Sequence, residues 1–280
     1  METISYLSKK DVTSTAHAVL KTAAKRIEKL INAESTAQLS ALRSMTLLLE
    51  VEARLIGQQY SFPVEIYPDT FVAIELATLA GITIIEPAGN GWFGSSANNP
   101  PLAVNLNAMN KFIVDKPGLP PQLRSLNPKS TDAHKLLAGH VTLESFEDSG
   151  AIMVGAATLA GANSGWTRHI NSNYGARIDC FAAGDDVSTL DYATATPNIY
   201  TLMFDGTSAA SAIIAGAALC LKGVAKANGI ALDAFQVRKI LSDRNLGTQI
   251  LSGATNEIGV MPDLAAILAN AVNTWAKPVP

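Results

Sequence analysis

The run from Ala209 to Leu221, just after Gly206-Thr207-Ser208, most limits what this chain can fold into. It is built largely of Ala, Ile, Gly and Leu and holds no charged side chain. A helix so apolar has no polar face to offer water, so it is expected to be buried on nearly every side. The rest of the chain can surround it. Of 280 residues, 48% are hydrophobic and 16% charged, which is material for one large core or two small ones. No stretch approaches roughly 18 uninterrupted apolar residues, so no membrane span is expected.

The elements around that run follow from periodicity. Ala16, Leu20, Ala23, Ile27 and Leu30 recur at steps of three and four, with Lys21, Lys25, Arg26 and Lys29 between them. This predicts an amphipathic helix over 14–31 with Ser14 as its N-cap, and a second helical piece covers 35–44. Residues 46–51 read as a buried strand. Residues 69–80 read as a helix that Gly81 closes, and Ile82 to Ile85 as a buried parallel strand, which together make a βαβ unit. That unit ends in Pro87-Ala88-Gly89-Asn90-Gly91, at the carboxyl end of a strand, where open α/β sheets bind ligands.

Prolines at 100, 101, 117, 120, 121 and 128 mark residues 94–145 as an irregular surface excursion, with one short strand near Phe112. Order returns with a buried strand at Ala151–Ala156, then shorter strands near 177–181 and 199–204. Helices follow at 233–242 and 262–270, the second with Pro262 at its first position.

A serine at the start of a buried helix meets unpaired N–H groups and the positive end of the dipole. Such a serine either caps the helix or stands where developing negative charge would be stabilised. Local chemistry leaves both readings of Ser208 open. Gly89-Asn90-Gly91-Trp92-Phe93-Gly94 fits a dinucleotide fingerprint, but its third glycine leads into loop residues rather than a helix.

Gly206 to Ala218, GTSAASAIIAGAA, resembles the nucleophile motif of subtilisin-like peptidases, in which Gly-Thr-Ser runs into a helix. Glu86-Pro87-Ala88-Gly89-Asn90 resembles the Ala-Ala-Gly-Asn segment of that family. Ser172-Asn173-Tyr174-Gly175 with Ala182-Ala183-Gly184 resembles its Ser-Asn-Tyr-Gly…Ala-Pro-Gly stretch, and Ala151 to Ala156 its Val-Gly-Ala strand. The resemblance implies a three-layer α/β, subtilisin-like fold with a mainly parallel sheet over 46–280 and the N-terminal part of the domain missing or replaced, while the periodicity above makes 1–45 an N-terminal helical segment. It further implies Ser208 as nucleophile of peptide-bond hydrolysis and the side chain of Asn90 as oxyanion donor. Substrate would lie along Glu50, Val51, Ala88 and Gly89.

Departures from the family pattern are as informative. Ala212 stands where the motif has proline. Neither the family's His-Gly-Thr nor its upstream Asp motif is found. His17 sits inside a predicted helix, Asp11 follows no strand, and His134, His140 and His169 read as surface residues. A serine without a base is a poor nucleophile, so the chain alone is expected to be close to inactive. It is then either a peptide-binding pseudoenzyme or a piece whose missing Asp and His come from the rest of a longer chain or from a partner.

A peptide or protein is the expected substrate. The net charge of −3 gives no electrostatic grip for nucleic acid. No residue pattern calls for a metal or cofactor. The start METISYLSKKD shows no signal peptide, so a cytoplasmic location is expected. Cys180 and Cys220 read as buried free thiols.

Overall fold

A computed structural model describes residues 45–49, 53–54, 60–66, 68–92, 103–108, 148–161, 165–190, 200–251 and 257–274. The helices read at 14–31 and 35–44, the strand near Phe112, and Asp11, His17, Glu50, Val51, His134 and His140 all lie outside them.

Thr46–Leu48 forms β1, Ala53–Arg54 β2 and Tyr60–Phe62 β3, followed by a 3-10 turn at Val64–Ile66. Helix α1 is Pro68–Leu79, and it leads directly into β4, Thr83–Pro87. Gly81 has φ of 92°. Its N–H donates to Thr78 O (2.9 Å) and that of Ile82 to Ala77 O (3.0 Å), the paired bonds that end a helix on a left-handed residue. β1 and β4 pair in parallel with Leu47 opposite Ile84, so the predicted βαβ unit is present.

Gly91–Trp92 forms β5, Ile152–Leu159 β6, Trp166–Arg168 β7 and Cys180–Ala183 β8. β6 is the centre of the main sheet: it pairs in parallel with β4 (Ile85 opposite Ile152) and with β8 (Val154 opposite Cys180). Past the end of β4, the antiparallel β7 takes that strand's edge, with Ala157 opposite Arg168. β2, β3 and β5 make a small antiparallel sheet beside it.

Val187–Leu190 (β9) and Tyr200–Phe204 (β10) form an antiparallel ribbon. Helix α2 is Gly206–Ala227 and α3 is Ala234–Leu241. Gly247–Thr248 (β11) pairs with Met261–Pro262 (β12), and α4 is Leu264–Thr274.

The alternation of the strands divides the core in two. Ile84, Met153 and Ala157 face Ile74 and Ala77 of α1, with Phe62, Val64, Phe181 and Ile258. Ile85, Ile152, Val154 and Ala156 face Ala210, Ile214, Ala218 and Leu221 of α2, with Val237, Leu241 and Ile267 behind them. The architecture is therefore three-layer α/β with a mainly parallel sheet.

Five expectations need correction. α2 runs beyond Leu221 to Ala227, and it is buried on one side only: Ile213, Leu219 and Val224 are 43%, 47% and 38% exposed. Pro262 is not the first residue of α4 but pairs with Gly247, and Asp263 caps the helix through Oδ1, which accepts from Ala265 N (2.9 Å) and Ala266 N (3.0 Å). His169 is buried, its N–H donating to Ala156 O as β7 leaves the sheet. Cys180 is a buried free thiol as expected, but Cys220 is exposed on α2. Within the 94–145 excursion, Val104 and Leu106 reach the core, and Asn105 bridges to Tyr174.

Candidate active site

The carboxyl ends of β4, β6 and β8 meet the N-terminus of α2. Gly206 has φ of 85°, so the chain reverses sharply out of the ribbon into the helix. Its N–H donates to Gly184 O at 2.9 Å, and a Cβ there would lie 2.8 Å from Asn90 Oδ1. Only glycine permits both the backbone angle and that approach.

Asp205, at the N-cap, makes no side-chain cap bond. The cap comes from across the sheet: Asn90 Oδ1 accepts from Thr207 N at 2.8 Å and from Thr207 Oγ1 at 3.1 Å. A backbone N–H only donates, so it fixes which end of the Asn90 amide is oxygen. The amide nitrogen is thereby turned to the other side. Ser208 follows in the first helical turn, half-buried. It is not the N-cap residue, which answers one of the two readings its position left open. Further along, Ser211 Oγ donates to Thr207 O at 2.6 Å and braces the same turn.

The segment that carries Asn90 is held by a second asparagine. Asn173 is fully buried. Its Nδ2 donates to Ala88 O (2.7 Å) and Ser61 O (2.9 Å), its Oδ1 accepts from Val104 N (2.9 Å), and its own N–H donates to Gly89 O (3.0 Å). Ser172 completes the brace, its Oγ accepting from Ala156 N at 2.9 Å. Ala88 N–H meanwhile donates to Val154 O at 2.9 Å. The Ala88–Asn90 segment is thus pinned to β6 on one side and to Asn173 on the other.

Behind it lies a buried ionic cluster. Arg177 binds Glu65 through Nε (2.9 Å) and Nη2 (3.0 Å), Asp179 through Nη1 (3.1 Å) and Ala151 O through Nη2 (3.1 Å). Glu86, on β4, is fully buried, and its nearest approach to Arg177 is 3.8 Å. Burial first, and then the Glu65 carboxylate, hold the Glu86 carboxyl well above the usual carboxylate range, against the pull of Arg177. Burial thus favours the protonated, neutral form of Glu86 over its carboxylate.

Among the expected site residues, Asn90, Ala88, Gly89 and Ser208 converge on one end of the sheet. The sequence reading missed the parts played by Thr207 and Asn173. Both lie within motifs already singled out, but a motif does not say which way an amide points. Among the described residues no group of three or more His, Cys, Asp or Glu is placed to hold a metal ion.

The chain is similar in part to known proteins. The alkaline extracellular protease of Yarrowia lipolytica is 32% identical over 113 residues, 39% of this chain and 24% of that protein. Solved structures that align include a protease from Pseudoalteromonas arctica (18% identity, TM-score 0.43, 81% of this chain and 51% of that one). Another is fervidolysin from Fervidobacterium pennivorans, a keratinolytic enzyme related to subtilisin (14% identity, TM-score 0.44, 80% and 26%). The chain spans about a quarter of the length of the curated relative and about half that of the first structure. The sequence pattern that defines the subtilase family matches residues 73–256, more than half of the chain and the stretch from α1 through Asn90 to Ser208 and beyond. This chain belongs to the subtilase family.

Proposed function

We propose that this chain carries the nucleophile and oxyanion side of a subtilase peptidase site. Ser208 is the nucleophile, and the Asn90 amide nitrogen and the Ser208 backbone N–H are the oxyanion donors. The reaction is acyl transfer from a peptide bond to Ser208, followed by hydrolysis. The observation that carries this reading is the bond from Thr207 N to Asn90 Oδ1, which ties the amide to the turn bearing Ser208. A donor held rigidly in this way pays no reorganisation when charge develops, and removing such a donor costs about 10²–10³ in turnover. The peptide substrate lies extended beside Ala88 and Gly89, and along Glu50 and Val51.

The base is the open part of the site. No His-Gly-Thr sequence occurs in the chain, and His169, the histidine among the described residues, is buried just after β7. Alone, the chain is close to inactive, and a partner chain supplies the missing groups. The same sequence observation favours a second reading, in which the cleft holds a peptide without cleaving it.

Labelling with a fluorophosphonate probe, with Ser208→Ala as control, decides between them. No labelling of the folded chain alone, and Ser208-dependent labelling once a partner is added, supports the completed-site reading. Peptide binding with no labelling under any condition supports the second. Labelling unchanged in Ser208→Ala removes Ser208 from the nucleophile role.

A further inference from the structure

The β9–β10 ribbon is built inside out. Tyr200 pairs with Leu190 and Thr201 with Thr189, and a bulge before the Phe204–Val187 pair sets Leu202 and Met203 against Ser188. Paired residues share a face, and an antiparallel pair with one wet face normally turns its polar side chains outward. Here Thr189 and Thr201 are the half-buried pair, while Leu190, Tyr200, Leu202 and Met203 are between 65% and 83% exposed. The ribbon forms a sheet of its own and packs chiefly on itself, and two strands alone are marginal in water. An apolar face this exposed marks a surface that binding covers.

Its root is fixed at the candidate active site. Asp186, with φ of 53°, turns the chain from β8 into β9, and Asp185 Oδ2 accepts from Thr158 Oγ1 at 2.7 Å. On the other strand, Phe204 is followed by Asp205 and then by Gly206, whose N–H is bonded to Gly184 O. The ribbon therefore stands at the end of β8, with only Asp205, Gly206 and Thr207 between it and Ser208.

We propose that this face is an exosite that holds an apolar stretch of the substrate polypeptide on one side of the scissile bond. The proposal rests on the reading of Ser208 and Asn90 given above, and continuity with that site selects substrate as the occupant. β4 and β8 flank β6 on opposite sides. The Ser208 turn is tied to both, to Asn90 beyond β4 and to Gly184 beyond β8. A polypeptide held beside Ala88 and Gly89 passes Ser208 and continues over the end of β8, where the ribbon rises. An extended chain presents every second side chain to one face, so apolar residues at alternate positions suit the ribbon.

Three fluorescein-labelled decapeptides, titrated against the full chain and followed by anisotropy, test this. One alternates Leu and Ser in its amino-terminal half, one in its carboxyl-terminal half, and the third has Ala in place of each Leu. One of the Leu peptides, and not the other, should bind at least about tenfold tighter than the Ala peptide. The double variant Leu202→Ser, Met203→Ser changes exposed positions only, and in it the preference should fall to about twofold or less. Leu219→Ser, on the exposed side of α2, should keep the full preference. No preference in the parent, equal preference for both Leu peptides, or the same loss in Leu219→Ser would overturn the proposal. So would a parent that sediments as a dimer and a double variant that does not, by making a second copy the occupant.

Labelling of Ser208 by the fluorophosphonate needs no contact with the ribbon, so the two readings fail separately. A chain that keeps the preference and is never labelled retains the exosite and loses Ser208 as nucleophile. A chain that is labelled at Ser208 but shows no preference keeps the peptidase reading and loses the exosite.

Discussion

At Gly89 the demands of geometry and function fall on one residue. Its φ is 89°, and a Cβ there would lie 2.6 Å from Ser61 O and 2.8 Å from Asn173 Nδ2. Gly89→Ala therefore brings both backbone strain and a clash with the clamp on the Ala88–Asn90 segment. It should lower stability by at least about 2 kcal/mol, read as a fall in the urea midpoint; an unchanged midpoint would show that the segment yields freely. Three residues earlier, Glu86 makes a prediction about pH. Its folded carboxyl is held above its unfolded value, so its contribution to stability is complete below the unfolded carboxylate range. That contribution is lost as pH rises through the higher folded value. Glu86→Gln supplies a neutral group of the same shape and removes that loss. The variant should have the higher urea midpoint at about pH 8 and the same midpoint as the parent near pH 4. An equal difference at both pH values would mean that the Glu86 carboxyl titrates in the folded chain as it does in the unfolded one.

Among the elements, α3 shows how much a short motif can settle. Asp233 Oδ1 accepts from Gln236 N at 2.8 Å, and Gln236 Oε1 accepts from Asp233 N at 2.9 Å, a complete capping box. Asp233→Ala should cost about 1 kcal/mol, measured by chemical denaturation, with the candidate active site unaffected because the box lies on the far end of the fold's helical layer. The same kind of local signal made α1, Gly81 and β4 legible in the sequence, since a helix-closing glycine followed by β-branched residues specifies a helix entering a buried strand. Ser208 and Asn90 were legible too, because their neighbours form recognisable motifs. Other features had no local signal. β7 is three residues long, and its place beyond the end of β4 depends on β4 stopping at Pro87. The open side of α2 was misread because composition measures how apolar a helix is, not what lies against it. Asn173 was visible as a motif letter only, since four of its hydrogen bonds reach residues 61, 88, 89 and 104, far away in sequence.

For the whole molecule, the cluster around Arg177 joins parts that the sheet alone does not tie together. Arg177 reaches Glu65 in the 3-10 turn, Ala151 before β6 and Asp179 before β8, while Arg238 of α3 binds Asp179 at 2.8 Å and Asp148 at 2.7 Å. Burial would raise the Asp148 carboxyl, but Arg177 and Arg238 outweigh it and hold that carboxyl well below the usual range. Buried charges of this kind contribute little net stability as pairs, because desolvation offsets most of the attraction. Removing one member is different, since the charges left behind have no water to return to. Arg177→Leu strands Glu65 and weakens the hold on Asp179, and it should destabilise the chain by about 3–5 kcal/mol. That is a large share of the roughly 5–15 kcal/mol that holds a domain together. If the cost lies in the stranded charge rather than in the lost bonds, adding Glu65→Leu to Arg177→Leu must recover part of it. The double variant should then be more stable than Arg177→Leu alone, although it has lost one more ionic partner. Urea midpoints of the parent, both single variants and the double variant measure this directly. A double variant weaker than Arg177→Leu would mean instead that the hydrogen bonds of the cluster, including the one from Ser149 Oγ to Glu65, are what hold the 3-10 turn against the sheet.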